Sequence, residues 1–323
     1  MINFFLKKTL IFLAPILFVL AVFEFYSRSV PSNYSYKKEG LLKSKDSIQI
    51  LFLGNSHSAY AFNPKEFRNA YNIAQVAQSI YFDKRILVNY IEDLKELKFV
   101  FIGIDFHSFY FSDQNQRNYW SYYSYGINYK DRLNFWKKNI YFLGYSPRVL
   151  MKNIREQFKL NSGSKRAVDV ENGVVPNVEL YNGFFSFIGS DIKSFADSTY
   201  AKRASYFNEL VAQSTELNSV LKDLDELLLL LKTKNIKPIL ITTPCYAPYR
   251  GKLNRAFLNR NKWIVDSITQ RHNIPYWNYF ELNLDSTFYY NCDHLNIKGA
   301  SMFSRLVSTR LDSLKNNIHF GDE

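Results

Sequence analysis

Two short polar constellations hold the side chains best suited to nucleophilic chemistry. Gly54-Asn55-Ser56-His57-Ser58 follows an apolar run. Asn291-Cys292-Asp293-His294-Leu295-Asn296 precedes the last amphipathic stretch, with Gly299 behind it. A serine hydroxyl attacks poorly until a base takes its proton, and histidine titrates in the range that suits this work near neutrality. The base in turn needs an acceptor that fixes its tautomer. Asp293 stands immediately before His294, and adjacent side chains diverge, so its carboxylate reaches the imidazole only if the local turn is tight. Asn291, three residues upstream, or a backbone carbonyl is the alternative orienter. His57, next to the serine, is expected to point away as a turn residue rather than act as a second base.

The elements that must position these residues read as alternating strands and helices. Ile48–Leu53 and Phe99–Ile104 are buried strands by composition, and 71–74 is a short strand between them. Helical spacing runs over 82–97. Leucines from Leu210 to Leu231 recur at three, four or seven residues, which predicts one long amphipathic helix. Residues 238–243 form the next strand, stopped by Pro244. A helix at about 252–270, an edge-like strand over 274–280 and a closing helix at about 298–314 complete the pattern. Such alternation predicts an α/β fold, a three-layer α/β/α sandwich around a mainly parallel sheet. Both constellations then fall at the carboxyl ends of strands, where open sheets of this kind bind ligands.

Residues 106–204 break the pattern and are too long for a structureless loop, so they read as an inserted subdomain. Ser146-Pro147 opens a helix within it. Tyr110, Tyr119, Trp120, Tyr122, Tyr123, Tyr125 and Tyr129 read as the core of a small cap or a membrane-facing belt, in preference to a sugar-stacking surface. At the other end, Lys7 and Lys8 precede an apolar run beginning at Thr9. This predicts a transmembrane anchor over 9–27, a cytoplasmic tail at 1–8, a polar stalk at 28–45 and the main domain outside the membrane from 46 onward.

At these two constellations the chain resembles a known family. Leu53-Gly54-Asn55-Ser56-His57-Ser58 and Asp293-His294-Leu295-Asn296 with Gly299 are similar to the first and last blocks of the SGNH, or GDSL-type, hydrolases, over 46–105 and 205–316. The arrangement is also similar to the membrane-anchored branch that includes teichoic-acid D-alanylation and alginate O-acetylation proteins. The resemblance implies a flavodoxin-like sandwich, Ser56 as nucleophile, His294 as base and the Ser56 backbone N–H as one oxyanion donor. It implies a serine esterase or O-acyltransferase acting on acyl esters of a cell-envelope glycan or glycolipid. A membrane-bound O-acyltransferase is the implied partner. The alternative is a catalytically degenerate scaffold that binds glycan or such a partner.

The chain departs from the family in three places. Asn291 stands where an aspartate is usual. No second-block glycine is evident in 72–79, so Gln75, Gln78 or the backbone N–H near Ala77 is left to donate to an oxyanion. The third block ends in Asp105 instead of an asparagine, and an ionised carboxylate donates nothing, which passes that role to His107 or Ser108.

Composition narrows the partners. The 323 residues are 47% hydrophobic and 22% charged, which excludes a disordered chain. The net charge of +12 asks for an anionic partner. Ten Lys and Arg against two acids lie between Lys130 and Arg166, inside the insertion. For a domain outside the cytoplasm this points to lipid head groups or an acidic glycan and away from nucleic acid. Five scattered histidines predict no metal site, and no cofactor motif is present. Cys245 and Cys292 both fall at the expected rim of the site, either as free thiols or as a disulfide.

Overall fold

The computed structural model describes residues 2–29, 33–111 and 181–319. Between these it describes only 122, 124–127, 140, 151, 155, 168–169 and 173–174. The chain divides into two compact units, Met1–Tyr36 with Asn115–Pro176, and Lys37–Gln114 with Asn177–Glu323.

In the first unit, helix α1 (Ile2–Ser29) contains a 23-residue apolar stretch, Phe4–Tyr26, of mean hydropathy 2.2 and with none of it buried. At about 1.5 Å per residue that length is enough to cross a hydrocarbon core. Also in this unit, Tyr34 packs edge-on against Tyr122 and Tyr125, with ring centroids 4.9 and 6.3 Å away. All three rings are buried. A two-stranded antiparallel ribbon pairs β4 (Val168–Asp169) with β5 (Gly173–Val174). The expected helix at Ser146-Pro147, the aromatics at 119, 120, 123 and 129, and nearly all of the basic stretch lie outside the described residues.

The second unit is the predicted sandwich. Five parallel strands, β1 (Ile50–Leu53), β2 (Ala70–Asn72), β3 (Phe99–Gly103), β6 (Lys237–Thr242) and β7 (Tyr276–Asn278), lie in the order β2-β1-β3-β6-β7. That order is the flavodoxin-like one, with its switch point between β1 and β3. The pleat sends Ile50, Phe52, Phe99, Phe101, Ile239, Ile241 and Trp277 into one core, closed by Phe62, Phe303, Val307 and Leu311. The last three sit on the closing helix α9 (Ile297–His319). Helices α4 (Ile80–Tyr90) and α6 (Leu217–Thr233) pack on each other, and α6 also on β6, while α7 (Ala247–Arg250) and α8 (Arg255–His272) lie between β6 and β7 in the chain.

Three expectations change. The leucine-rich stretch is two helices, α5 (Asp197–Gln213) and α6, broken at Ser214, whose hydroxyl accepts from the Glu216 amide in a local turn. Residues 33–44, expected within the stalk, form helix α2 (Asn33–Ser44), with Lys37 and Leu41 buried. The insertion is shorter than 106–204, because 177–204 belong with the sheet. Asn182 O accepts from Asn72 N at 2.8 Å, and Phe187 O from Ile297 N at 2.9 Å. These bonds hold that segment to β2 and to the start of α9.

Candidate active site

Ser56 is the first residue of the short helix α3 (Ser56–Ala61), which leaves the carboxyl end of β1. Asn55 caps that helix, its Oδ1 accepting from His57 N at 2.9 Å. The other end of α3 is held by buried Asn72, whose Nδ2 donates to Phe62 O at 2.8 Å and Ser58 O at 3.2 Å. The nucleophile candidate therefore rides on a helix pinned at both ends.

His294 is placed by a tight turn. Asn291 Oδ1 accepts from both Asp293 N (3.2 Å) and His294 N (2.9 Å), and Tyr290 N donates to His294 O at 2.9 Å. Asn296 then caps α9 by accepting from Lys298 N and Gly299 N, both at 3.1 Å. A side chain at Gly299 would lie 2.1 Å from Phe288 O, so only glycine lets the turn close on the helix.

The two ends meet. Ser56 Oγ is 2.8 Å from His294 Nε2, and Asp293 Oδ1 is 3.3 Å from His294 Nδ1. With Nδ1–H turned to the carboxylate, Nε2 is free to accept the serine proton. The tight turn is what allows Asp293 to face the ring of its own neighbour. Asn291 acts on the backbone of this turn, so the reading of it as an orienter of the imidazole is replaced by Asp293.

Two residues outside the expected set complete the cluster. Arg203, on α5, donates from Nε to Asp293 Oδ2. His57 places Nδ1 3.1 Å from Asp105 Oδ1 and Nε2 3.5 Å from Asp293 Oδ2, and its ring centroid is 5.1 Å from that of His294. The expectation that His57 points away is therefore corrected. Successive residues on a helix project about 100° apart. Ser56 turns to His294 while His57 turns to the end of β3. The charge of Asp105 beyond β3 was the available signal for His57; Arg203 lay in a stretch with no motif.

The charges follow from these contacts. Burial alone would lower the His57 pKa, but the carboxylates of Asp105 and Asp293 override it and raise it to about 10. Burial also works against the charge of Asp293, yet His294, Arg203 and His57 hold its carboxyl well below the usual range. His294 is lowered to about 3, chiefly by burial and, against the pull of Asp293, by the positive charges of His57 and Arg203. Its imidazole is thus neutral at physiological pH.

The expected oxyanion donors divide. The Ser56 amide stands at the first position of a helix, where no intrahelical acceptor exists. Ala77 adopts φ +55°, the left-handed conformation that favours glycine. Gln78 is otherwise engaged: its Nε2 donates to buried Asp83 Oδ1 at 2.7 Å, which also accepts from Gly54 N at 3.0 Å. His107 Nε2 faces Asn55 Nδ2 at 3.3 Å, and its ring is stacked between Phe111 and Phe207. Burial lowers its pKa to about 3, so the ring is neutral, and with Asn55 Nδ2 donating, Nε2 is the accepting nitrogen. Ser108 Oγ accepts from Asp105 N. Gln75, by contrast, is buried with Nε2 lacking any acceptor, and its own N–H donates to Gly54 O at 3.1 Å.

No protein-family model matches the chain, and no curated protein matches it. Among solved structures it is similar to one described as a "putative acylhydrolase" from Bacteroides fragilis. The two share 11% identity over 90% of this chain and 95% of that one, with a TM-score of 0.37.

His57, Asp293 and His294 also offer ligand atoms within 4.8 Å of one another, a spacing that can hold a cation. A metal there would have to displace the proton that two carboxylates hold on His57. Cys245 and Cys292 are free, buried thiols, and burial pushes Cys292 up to about 12, so the disulfide alternative does not describe this structure. A cleft of about 940 Å³ is lined by Asp105, Phe106, Arg250, Tyr276 and Phe280 among others, but by neither Ser56 nor His294.

Proposed function

We propose that the protein is a serine-dependent esterase or O-acyltransferase. The observation that carries this reading is the 2.8 Å approach of Ser56 Oγ to a neutral His294 backed by Asp293. His294 Nε2 takes the hydroxyl proton as Oγ bonds to the acyl carbon, and the carbonyl electrons move onto oxygen. The collapsing intermediate releases the alcohol, which takes the proton back from His294, and leaves the acyl group on Ser56. Water or a second hydroxyl then enters by the reverse sequence, giving hydrolysis or transfer. The Ser56 and Ala77 amides with the Gln75 side chain are the donors proposed for the oxyanion.

The substrate proposed is an acyl ester of a cell-envelope glycan or glycolipid. Helix α1 supports this as a single-pass anchor, its dilysine end cytoplasmic and the rest of the chain outside, beside a membrane-bound O-acyltransferase. Protease added to cells stripped of any outer membrane and wall should digest the main domain and spare the N-terminus; protection of the whole chain would reverse this topology.

The second reading, an inactive binding scaffold, draws on Asp105, an acceptor held by His57 where the resembled family has a donor. A fluorophosphonate probe separates the two. Full-length protein in detergent should be labelled at Ser56, with labelling abolished by Ser56→Ala and His294→Ala. A folded wild type that takes no label favours the scaffold.

A further inference from the structure

We infer that His57 is a positioning residue of this site: a charged clamp between Asp105 and Asp293 that turns Asp293 toward His294. The inference deepens the esterase reading and rests on it for its catalytic meaning.

The geometry carries the argument. Each ring nitrogen of His57 faces a carboxylate oxygen, Nδ1 that of Asp105 at 3.1 Å and Nε2 that of Asp293 at 3.5 Å, the second an ion-pair approach without a hydrogen bond, and the side chain is 10% exposed. A neutral imidazole has one N–H and one lone pair, so either tautomer would aim a lone pair at a buried carboxylate. Only the doubly protonated ring has a donor for both. A ring in that state has no lone pair with which to accept a proton from Ser56, which excludes it as a second base.

Asp293 needs such a clamp. Being adjacent to His294, its carboxylate has no natural tendency to face that ring. Oδ2 is gripped from one side by Arg203 and approached from the other by His57, which leaves Oδ1 toward His294. Asp105 secures the far nitrogen of His57, so the end of β3 is wired through His57 to the turn before α9. Around His57 the titratable groups are Asp105, His107, Asp293, His294, Arg203, Cys245, Cys292 and Tyr249. Two carboxylates and two cations balance while His294 is neutral. The proton His294 takes from Ser56 then matches the negative charge arising on the substrate oxygen.

The test uses full-length protein in detergent, with side-chain ¹⁵N spectra of its histidines and p-nitrophenyl acetate as the substrate. His57 should carry protons on both nitrogens at about pH 8, well above the ordinary histidine range. His57→Gln should lower kcat/KM by about 10²-fold, the cost of a misplaced catalytic group. It should also move the acid limb of the pH profile up by about one unit, because a positive neighbour of His294 is gone. Asp105→Asn, which removes the carboxylate facing His57 Nδ1, should bring the His57 titration down toward the ordinary range in the same spectra. A wild-type His57 that titrates in the ordinary range overturns the inference, as does a pH profile left unchanged by His57→Gln. A wild type with no esterase activity removes the esterase reading alone, since the nitrogen spectrum still decides whether the clamp is charged.

Discussion

Arg203 Nε donates to Asp293 Oδ2, the oxygen of that carboxylate that does not face His294. The contact links α5 to the turn before α9. It puts a guanidinium whose side chain is one-third exposed against a carboxylate with no exposure at all. Removing one partner of a buried pair leaves the other charge without compensation. Arg203→Ala should therefore destabilise the second unit by about 1–3 kcal/mol, less than a fully buried pair because of the solvent at Arg203. Labelling of Ser56 should slow as Asp293 loses its anchor. Arg203→Lys should recover stability better than rate, since a point charge replaces a directed N–H. Denaturant titration and probe kinetics on the three proteins check this; equal behaviour of Ala and wild type would remove Arg203 from the site.

The neutral state of His294 sets a pH expectation. Its pKa is lowered to about 3, so the base stays competent as the medium is acidified. Labelling at Ser56 should hold nearly constant from about pH 8 to about pH 5, where a histidine of ordinary pKa would have lost about 30-fold. The stability linkage has the opposite appearance. A histidine kept neutral in the fold but free to protonate when unfolded contributes stability above the unfolded value of 6.5, lost as pH falls below it. His107, also lowered to about 3, adds to this. Stopped-flow labelling at short times distinguishes a slow base from an unfolding site.

Gln75 can be tested by splitting rate from stability. Its buried Nε2 has no acceptor. An unpaired buried donor costs about 1–3 kcal/mol. Gln75→Met fills the same space without the donor. If the amide waits for the oxyanion, labelling should fall by about 10²-fold while the melting temperature holds or rises. A drop in melting temperature with an unchanged rate would assign Gln75 to packing.

Asp83 ties the nucleophile loop to the neighbouring loop through Gly54 N and Gln78 Nε2. Burial raises its pKa to about 7, against those two hydrogen bonds that favour the charged form. A carboxyl raised in the fold contributes stability in full below its unfolded value of 3.8 and loses it as pH rises through about 7. Asp83→Asn keeps the accepting oxygen and cannot ionise. Relative to wild type it should gain about 3 kcal/mol between pH 5 and pH 8. Comparing the two proteins at each pH cancels the titration of the histidines; a constant difference would show that Asp83 does not titrate there.

Much of the framework was legible in the chain because it is written in local patterns. Apolar runs marked the strands at 50–53, 99–103 and 237–242 to within two residues, since a strand buried on both faces needs continuous hydrophobic sequence. The turn chemistry around Ser56 and His294 marked where the site lies. Breaks such as Ser214, and the folding of 33–44 as a helix, were hidden because the hydrophobic spacing there suits more than one arrangement.

By itself, then, the sequence determined the α/β sandwich and the pair Ser56 and His294, features that rest on periodicity and on residue types beside strand ends. Only the tertiary structure decided that Asp293 faces His294, that Arg203 bonds its other oxygen with His57 beside it, and that Asp105 faces His57. Those assignments depend on electrostatic partners brought together from four separate segments. Which carboxylate meets which cation in a buried cluster is set by packing, not by spacing along the chain.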